Sequence, residues 1–566
     1  MKKHILITLV ILFNYNMLAA QIPGYNWHLN FGNSLNDNAQ SVAVDSSGNV
    51  YVTGTINGIV DLDPTSGTYN ITSNGGSNDF FVAKYNSEGN IIWGFRRGSS
   101  SYDYARKILI TNTNDIIIVG EFGGSFDFDP SAGGNTTLNA GTSSDGFIAK
   151  YDSSGNFIWA FDLGSQNSYD AVISMDLDSS DNLIVIGLFQ GTADFNPDNG
   201  TANLTSSNEA VFVAKYNSSG SYLWAFKIES NSHIAGYSIS VDPMSNIYIT
   251  GVFGGSADFD PTSSVNNINS IGGDEIFIAK YTAGSNYVWA YPLGSGGDDV
   301  GIDINAKNPG NIYLTGHIDG ACDFDLNSGN YIIFTSGVIN GFIASYDVNA
   351  TLQWAFGIGQ PTGGSQILAT TTDNDGNVFI TGWFAGTVDF DPSVNVDTLS
   401  TSTPFASGFI AKYNDNGAFQ NVISLESSGH VYPFDIIIDT DENIYISGRY
   451  NNTCDFDPSA NVNLAASNGL EDAFVAKYST FSTEINEIST MIPFKVFPNP
   501  FVSEITLSGI PIESNIKIYT LQGKIIKEIE SNIDDVMIDL EHLTSGMYLM
   551  QVANNNSSYI TKIIKQ

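Results

Sequence analysis

Basic residues, and charged residues in general, are scarce in this 566-residue chain. Only 21 residues are Lys or Arg against 59 Asp and Glu, which gives a formal net charge of −38. Charged residues make up 14% of the chain, whereas roughly 25% is average for soluble domains. Nucleic-acid binding requires clustered Lys and Arg, and an anionic membrane surface attracts the same residues. The composition therefore argues against both kinds of partner.

Cysteine and the common catalytic motifs are equally scarce. The chain contains no His-Glu-x-x-His sequence, no Gly-x-Ser-x-Gly elbow and no phosphate-binding loop. Cys322 and Cys454 occupy equivalent points two copies apart in the repeat described below. Such points should exceed the limit of about 7 Å between Cα atoms for a disulfide. We therefore expect two free, buried thiols and name no catalytic residue.

Long hydrophobic runs are absent except at the N-terminus. Lys2 and Lys3 precede the apolar run Ile5–Phe13, and small residues follow it before Gln21. This pattern predicts a signal peptide over residues 1–20, with cleavage between Ala20 and Gln21. The run is too short for the roughly 20 residues of a membrane-spanning helix. No other stretch approaches that length, so we expect no transmembrane span.

Abundant glycine and aromatic residues, 56 Gly and 12% Phe, Trp and Tyr, accompany an internal repeat of about 65 residues. Tryptophan marks six copies and Phe419 takes its place in the seventh: Trp27, Trp93, Trp159, Trp224, Trp289 and Trp354. An Ala-Lys-Tyr sequence marks six copies, centred on Lys84, Lys150, Lys215, Lys280, Lys412 and Lys477, while Ser345 replaces the lysine in the fifth. A lysine repeated beside abundant aspartate predicts a structural ion pair or an aliphatic stem that covers apolar surface.

Each copy divides into four short strands. In the second copy the pattern predicts strands over residues 107–111, 116–122, 146–151 and 157–161, joined by Asn/Asp/Gly turns. The fourth strand is apolar on both faces, so its sheet must lie between neighbouring sheets. Radially stacked four-stranded sheets satisfy this requirement. The sequence thus predicts an all-β, seven-bladed β-propeller over residues 21–486, in which the strand around Trp27 completes the last blade.

Three segments support a resemblance to a known repeat family. They are Gly164 to Ala171, Asp45 to Gly54, and the recurring Asp-Phe-Asp-Pro sequence. In these residues the body resembles the SBBP family, whose repeats form seven-bladed β-propellers. The resemblance implies a secreted or surface location, and the family carries no agreed activity.

The last 73 residues differ from the body. After a linker over 487–493, residues 494–566 contain about seven short alternating strands, which predicts a small Ig-like β-sandwich. This segment resembles the C-terminal sorting domain of the type IX secretion system of Bacteroidota. The matching motif residues are Pro498, Asn499, Pro500, Gly546, Tyr548, Lys562 and Lys565. The resemblance implies recognition by that secretion machinery, removal of the domain, and delivery to the cell surface or the extracellular space.

Paired aspartates before proline are candidate calcium ligands, because carboxylate oxygens suit Ca²⁺. The candidates are Asp127, Asp129, Asp258, Asp260, Asp389, Asp391, Asp455 and Asp457. Asp37, Asp103, Asp170 and Asp299 lie in loops expected to approach them. Each aspartate could instead shape a turn by accepting hydrogen bonds from its own backbone. Beyond calcium we expect no cofactor.

These features together predict an exported binding or display module with a glycan or protein ligand. Glycan binding would need exposed aromatic residues, and Trp383, which occurs in one copy only, is a candidate. Packing at a strand end is an alternative role for this residue. A polysaccharide-active enzyme is a competing function, which a non-repeating cluster converging on the central channel would favour. A purely structural surface component is a third.

Overall fold

The computed structural model describes residues 23–480 and 494–566, except 132, 166–167, 263, 336–338, 360–362, 402–403, 460, 511, 513, 521–524, 545 and 554–557. Every regular element among these residues is a β-strand. Among them, no helix is long and apolar enough to cross a membrane. The chain divides into two compact units, 1–482 and 483–566. The predicted signal peptide, with Ala20 and Gln21, and the predicted linker lie outside the described residues.

The first unit contains, within its described residues, seven antiparallel sheets, each built on four strands. The third and the sixth extend to six strands, because their fourth strand also pairs with a short hairpin of the next repeat. We number the sheets in chain order and their strands 1 to 4. Sheets 1 to 4 comprise Asn38–Val44, Val50–Ile56, Asp79–Tyr85, Ile91–Arg97; Asp103–Ile110, Ile116–Asp127, Thr137–Tyr151, Phe157–Leu163; Ala171–Leu177, Leu183–Asp194, Asn203–Tyr216, Tyr222–Ser230; and Ile234–Val241, Ile247–Phe253, Glu275–Tyr281, Tyr287–Leu293. Sheets 5 to 7 comprise Val300–Asn305, Asn311–Ile318, Asn340–Asp347, Leu352–Ile358; Gly364–Thr372, Val378–Ala385, Ser407–Tyr413, Phe419–Ser427; and Val431–Ile438, Ile444–Tyr450, Asp472–Tyr478, Tyr25–Phe31.

The N-terminal strand closes the arrangement. Tyr25–Phe31 pairs with Asp472–Tyr478 and so supplies strand 4 of sheet 7. Strand 1 of sheet 1 contacts strand 1 of both sheet 2 and sheet 7, and each later sheet packs on the next in the same way. The predicted all-β, propeller-like fold is therefore confirmed, including the pairing of the first strand with the last repeat.

Aromatic and aliphatic residues of neighbouring sheets share each part of the core. Tyr51, Phe80 and Val82 of sheet 1, for example, pack in one cluster with Ile118 and Phe147 of sheet 2. Strands 2 and 3 of sheet 1 are buried along their whole length. Because both faces of each sheet are apolar, burial of one sheet requires its neighbours.

The repeated Trp and Lys join neighbouring sheets. Trp93 Nε1 and Lys84 Nζ both donate to the backbone oxygen of Ser153, at 3.3 and 3.1 Å, in the turn between strands 3 and 4 of sheet 2. In sheet 2 the equivalent Lys150 lies 3.0 Å from Asp115. The predicted structural ion pair is confirmed there and at Lys84, Lys215 and Lys412.

Strand boundaries differ from the prediction in sheet 2. Strand 1 begins at Asp103, four residues before the predicted start at Lys107, because residues 103–105 already pair with residues 120–122. Strands 2 and 3 also extend to Asp127 and back from Thr137. Polar residues in these extensions hide them from an apolar-alternation pattern.

The Asp-Phe-Asp-Pro segments belong to small hairpins after strand 2. In sheets 2 and 3 the long strands include the hairpin, and elsewhere it is separate. The separate pairs are Ile59–Asp61 with Asn70–Thr72, Ser256–Asp258 with Asn267–Asn269, Ala321–Asp323 with Ile332–Phe334, Thr387–Asp389 with Thr398–Ser400, and Thr453–Asp455 with Leu464–Ala466. Cys322 and Cys454 lie in two of these hairpins, free and buried as predicted.

The second unit consists of two antiparallel sheets within its described residues. One contains Lys495–Phe497, Glu504–Ser508 and Asp535–Asp539, and the other contains Ser514–Tyr519, Ile525–Ser531, Gly546–Ala553 and Ser558–Lys565. Ile505, Leu507 and Ile538 of the first sheet share one core with Ile516 and Met550 of the second. This is the predicted small β-sandwich.

Candidate binding site in the central cavity

A β-bulge interrupts strand 1 of every one of the seven sheets. The register between strands 1 and 2 shifts by one residue at the same point of each repeat, as between Ala39 and Ser41 in sheet 1. Such an extra residue re-aims a side chain out of the regular pleat. The bulged residues, which we call the cavity ring, are Gln40, Arg106, Ile173, Tyr237, Ile302, Leu368 and Phe434.

The cavity ring lines a cavity of about 370 Å³. All seven ring residues border it and all are half-buried. Sheets 1 and 2 contribute Gln40 and Arg106, whereas sheets 3, 5, 6 and 7 contribute aliphatic or aromatic side chains. The scaffold around the cavity repeats, but the ring does not. The cavity therefore has one polar side and one apolar side.

The residues that follow the cavity ring along strand 1 form ion pairs and hydrogen bonds with one another. Lys107 Nζ lies 2.9 Å from Asp435 Oδ1, and Asp435 Oδ2 accepts a hydrogen bond of 2.6 Å from the Ser41 hydroxyl. Asp303 accepts 2.7 Å bonds from the Ser238 hydroxyl and the backbone N–H of Thr370. Burial raises the pKa of Asp303, an effect that Lys107 opposes. Burial by itself would lower the pKa of Lys107, but Asp435 and Asp303 together raise it.

The opposite side of the ring carries a second set of non-repeating residues. Strand 2 contains a glycine in every sheet, and the residue after it differs each time. These residues, which we call the mouth of the cavity, are Thr55, Glu121, Leu188, Val252, His317, Trp383 and Arg449. The glycine is required because strand 1 passes close by: a Cβ on Gly120 would lie 1.9 Å from the backbone oxygen of Tyr104.

Polar networks hold this mouth in place. Arg106 donates to both carboxylate oxygens of Glu121, at 2.8 and 2.5 Å, a bidentate geometry that fixes both side chains. Tyr102 and Tyr169, which lie near this pair, are 63% and 43% exposed. They present ring surface to solvent beside charged groups.

Trp383 lies in the same mouth, on sheet 6. Its Nε1 donates to Gln366 Oε1 at 2.9 Å, and Gln366 Nε2 is 2.9 Å from His317 Nδ1. Its ring packs edge-on against Tyr432, with centroids 6.3 Å apart. Burial lowers the pKa of His317. Trp383 therefore belongs to a bonded network and is half-buried, which fits the packing role more closely than a free stacking surface.

The predicted calcium ligands all lie in the small hairpins after strand 2. The first aspartate of each pair accepts two backbone N–H bonds: Asp127 Oδ1, for example, accepts bonds of 3.0 Å from Asp129 and 2.7 Å from Thr136. The second accepts one more, as Asp129 does from Ser131 at 2.8 Å. The same bonds recur at Asp258, Asp260, Asp389, Asp391, Asp455 and Asp457. These aspartates shape turns, and the described residues contain no group of three or more His, Cys, Asp or Glu arranged to hold a metal.

The loop aspartates lie at the junctions between neighbouring sheets. Asp37, Asp103, Asp170 and Asp299 are buried where one sheet meets the next, and their carboxylates bind backbone N–H groups of the surrounding loops. Their approach to the paired aspartates stays a prediction. Backbone N–H groups near the ends of strands 2 and 4 donate hydrogen bonds to these carboxylates.

The sorting-motif residues lie on the final strand of the second unit, on the strand paired with it, or on the segment that bonds to it. Asn499 Oδ1 accepts a 2.8 Å bond from the backbone N–H of Ile564, and Lys565 Nζ donates to the backbone oxygen of Val502. Pro498 and Pro500 flank Asn499 on the exposed side. Gly546 begins the strand that pairs with the final one, and the Tyr548 hydroxyl donates to Thr544 at 2.8 Å. Lys562 lies in the final strand, opposite Leu549.

Two family models match parts of the chain. Residues 26–59 match the SBBP family, a beta-propeller repeat. Residues 495–566 match the secretion system C-terminal sorting domain, which confirms both resemblances seen in the sequence. This sorting domain indicates export by the type IX system across the outer membrane, to the cell surface or the extracellular space.

Similarity to individual proteins is distant. An uncharacterized WD repeat-containing protein of Acanthamoeba polyphaga mimivirus is 24% identical over 554 residues, which covers 80% of this chain and 38% of that protein. PorZ, a surface component of the type IX secretion system of Porphyromonas gingivalis, is 10% identical with a TM-score of 0.16, over 95% of this chain and all of PorZ. A fungal alcohol oxidase in complex with copper is 12% identical with a TM-score of 0.36, over 96% and 99% of the two chains.

Proposed function

We propose that the chain is a cell-surface or secreted binding module whose ligand, a glycan or a protein, occupies the central cavity and its mouth. One observation carries this proposal: the cavity ring and the mouth differ from sheet to sheet, while the scaffold around them repeats. Seven equal side chains would make a symmetric surface. A ring with one polar and one apolar side can select the orientation of a bound ligand.

The chemistry of the cavity suits an amphipathic ligand. A cavity of about 370 Å³ lies within the range of small-ligand sites, which combine apolar walls with a few polar groups. Arg106 and Gln40 supply polar contacts, and Tyr102 and Tyr169 extend the surface beyond the cavity. Sugar rings and peptide segments both present alternating apolar faces and hydrogen-bonding groups to such a surface.

Binding of the full chain to a glycan array and to a panel of extracellular proteins tests the proposal. Replacing the exposed Tyr102 and Tyr169 together by Ala should weaken binding of any ligand found by about tenfold or more, because exposed tyrosines are frequent binding hot spots. The matched control is Val394→Ala, which removes a 99% exposed side chain outside the cavity. Equal binding by the double variant and the control would place the ligand elsewhere.

Calcium binding by the aspartate pairs stays a prediction. Each array is therefore run with calcium and with a chelator. Asp127 and Asp129 use one carboxylate oxygen each for turn bonds, which leaves the other oxygen for an ion. Ligand binding that disappears with the chelator and returns with calcium would support the prediction, and identical binding in both conditions would count against it.

A polysaccharide-active enzyme is the second candidate, because Asp303 and Asp435, which follow the bulge in only two of the seven sheets, bring carboxylates to the cavity. Both carboxylates already accept hydrogen bonds from neighbouring groups. Incubation of bound glycans with the full chain would release new reducing ends if the enzyme proposal holds, and Asp303→Asn would abolish the release. A chain that binds no glycan or protein in these assays would instead match a purely structural surface component.

A further inference from the structure

Buried carboxylates meet in pairs where neighbouring sheets join. At four junctions the loop before strand 1, or in sheet 2 the first residue of that strand, carries an aspartate whose backbone N–H donates, at 2.8 to 2.9 Å, to a residue of the preceding sheet. The residue after that acceptor is acidic too. The four pairs, loop residue first, are Asp37 with Asp472, Asp103 with Asp79, Asp170 with Asp145, and Asp299 with Glu275.

The other three junctions are neutral on both sides. Their residues at the same two positions are Ser365 with Asn340, Val431 with Ser407, and Ile234 with Ala210. The backbone contact persists without the acids, since Val431 donates to Ala406 at 2.9 Å and Ser365 to Ile339 at 3.2 Å. The two positions are thus either both acidic or both neutral. This coordinated change indicates that the acids interact with each other rather than each with the backbone alone.

The paired carboxylates lie close together and away from water. All eight acids are at most 5% exposed. A Cβ placed on Gly98 would lie 2.7 Å from Asp79 Oδ1 and 2.8 Å from Asp103 Oδ2, so these two oxygens are no more than about 5.5 Å apart. Gly294 lies in the same way between Glu275 and Asp299. Glycine is required at these points because any side chain would displace the pair.

The two members of a pair differ in their hydrogen bonds. Asp103 accepts backbone N–H bonds on both oxygens, 3.0 Å from Gly123 and 2.7 Å from Ser99, as a carboxylate does. Across the junction, one buried oxygen has no donor in three of the pairs: Oδ1 of Asp79, Asp145 and Asp472. An ionised carboxylate without a donor is costly to bury, and a second negative charge beside it adds repulsion.

We propose that each junction pair retains one proton near neutral pH, shared between the acid of strand 3 and the loop aspartate of the next sheet. The proton removes one of two like charges and, in the pairs that contain Asp79, Asp145 and Asp472, satisfies the oxygen that lacks a donor. The pair then titrates as one unit. The first unit therefore binds protons at these junctions on folding, including at the Asp37–Asp472 junction, where the first and last repeats meet.

The groups that face the pairs leave little countercharge. They are Arg96 at Asp79, Asp162 at Asp145, Asp319 and Cys322 at Asp299, and Tyr450 at Asp472. Of these only Arg96 is a cation. Burial is the main cause that raises the pKa of Asp37 and Asp79 to about 6, of Asp103 to about 7 and of Asp145 to about 8. The pKa values of Asp170, Glu275, Asp299 and Asp472 are also raised, chiefly by burial.

The direction of the pH effect follows from these raised values. Unfolded aspartates ionise near pH 4, so between about pH 4 and pH 8 the folded junction pairs hold protons that the unfolded chain releases. The contribution of the junction pairs to the free energy of unfolding is complete at the acid end of this window. It is lost as the pH rises through the folded pKa values. For each retained proton, the folding equilibrium constant falls about tenfold per unit rise in pH, from about pH 4 up to the folded pKa of that pair.

Calorimetric unfolding of the full chain at pH 7, in buffers of different ionisation enthalpy, counts the protons released. The double variant Asp145→Asn/Asp170→Ser imports the neutral pair of sheets 5 and 6 and should release about one proton fewer. Asn340→Asp with Ser365→Asp installs a fifth pair and should release about one more. Asp260→Asn, at a turn, is the matched control and should leave the count unchanged. Unfolding of the parent chain without net proton release, or equal counts in parent and both double variants, would overturn the proposal.

Discussion

Aspartate has three structural roles in this protein, and its surroundings decide among them. Asp127 shapes an exposed turn through two backbone bonds. Asp178, in a hairpin turn, pairs with Lys215 at 2.8 Å. Asp103 is buried at a sheet junction with a second acid nearby. The excess of acidic residues is thus partly structural and not simply a solvated surface.

A repeated tyrosine makes one interior bond in each of the seven repeats within the described residues. Tyr151 donates from its hydroxyl to the backbone oxygen of Phe128 at 2.9 Å, and six equivalent bonds of 2.8 to 3.0 Å occur. Tyr151→Phe should lower the free energy of unfolding by about 1–3 kcal/mol, because it leaves a buried carbonyl unpaired. Thermal denaturation measures the change.

The matched control for this variant is Tyr102→Phe, which removes a hydroxyl from an exposed ring. It should leave the melting temperature unchanged. Equal effects of the two substitutions would mean that the interior bond contributes nothing to stability.

At the scale of elements, the bulge in strand 1 is the feature that creates the cavity surface. A regular strand would place residues alternately on its two faces. The bulge adds one residue that breaks this alternation, as Arg106 does between Ala105 and Lys107. Sequence alternation predicts the strands around it, but no pattern in a single repeat distinguishes a bulged residue from a paired one. The cavity ring was therefore not predicted, although its lack of repetition is visible once the copies are aligned.

The turns between strands 3 and 4 fit against the repeated tryptophans. Gly155 has φ +82°, and a Cβ there would lie 3.3 Å from the Trp93 ring. Gly155→Ala should lower the free energy of unfolding by about 1–3 kcal/mol, through backbone strain together with displacement of the ring. Chemical denaturation measures it.

Gly310→Ala separates the two causes. Gly310 has φ +92° with no atom within 4 Å of its would-be Cβ, so the variant carries the strain without the contact. A smaller loss at Gly310 than at Gly155 is expected. Equal losses would show that Trp93 adjusts freely and that the fit between the sheets has no energetic importance.

At the scale of the whole molecule, the N-terminal strand joins the two ends of the first unit. Phe31 is 2% exposed and packs edge-on against Phe81 of sheet 1, with centroids 5.4 Å apart. Phe31→Ala should lower the free energy of unfolding by about 3–5 kcal/mol, because it leaves a cavity at this closure. Hydrogen exchange should locate the loosening in sheets 7 and 1. Uniform exchange across all sheets would contradict a local seam.

The second unit provides a separate test at this scale. Deletion of residues 494–566 should keep the protein inside the cell envelope, because the matched sorting domain indicates type IX export. Cell fractionation measures this. Deleting the exposed residues 66–68, between the hairpin strands Ile59–Asp61 and Asn70–Thr72, from an otherwise unchanged chain is the matched control and should leave export intact. Normal appearance of the tail-deleted chain outside the cell would contradict the role of the domain.

The all-β class, the repeat, the closing first strand and the sorting tail could all be predicted from the sequence. These properties follow from periodic residues and local turns, which a linear pattern records directly. Three features became visible only in the folded chain: the bulged residues line one cavity, Trp383 belongs to a hydrogen-bonded network, and Asp103 lies near Asp79. Each of these depends on which residues of different repeats come together. These contacts between repeats form only when the sheets stack, so the sequence of a single repeat does not show them.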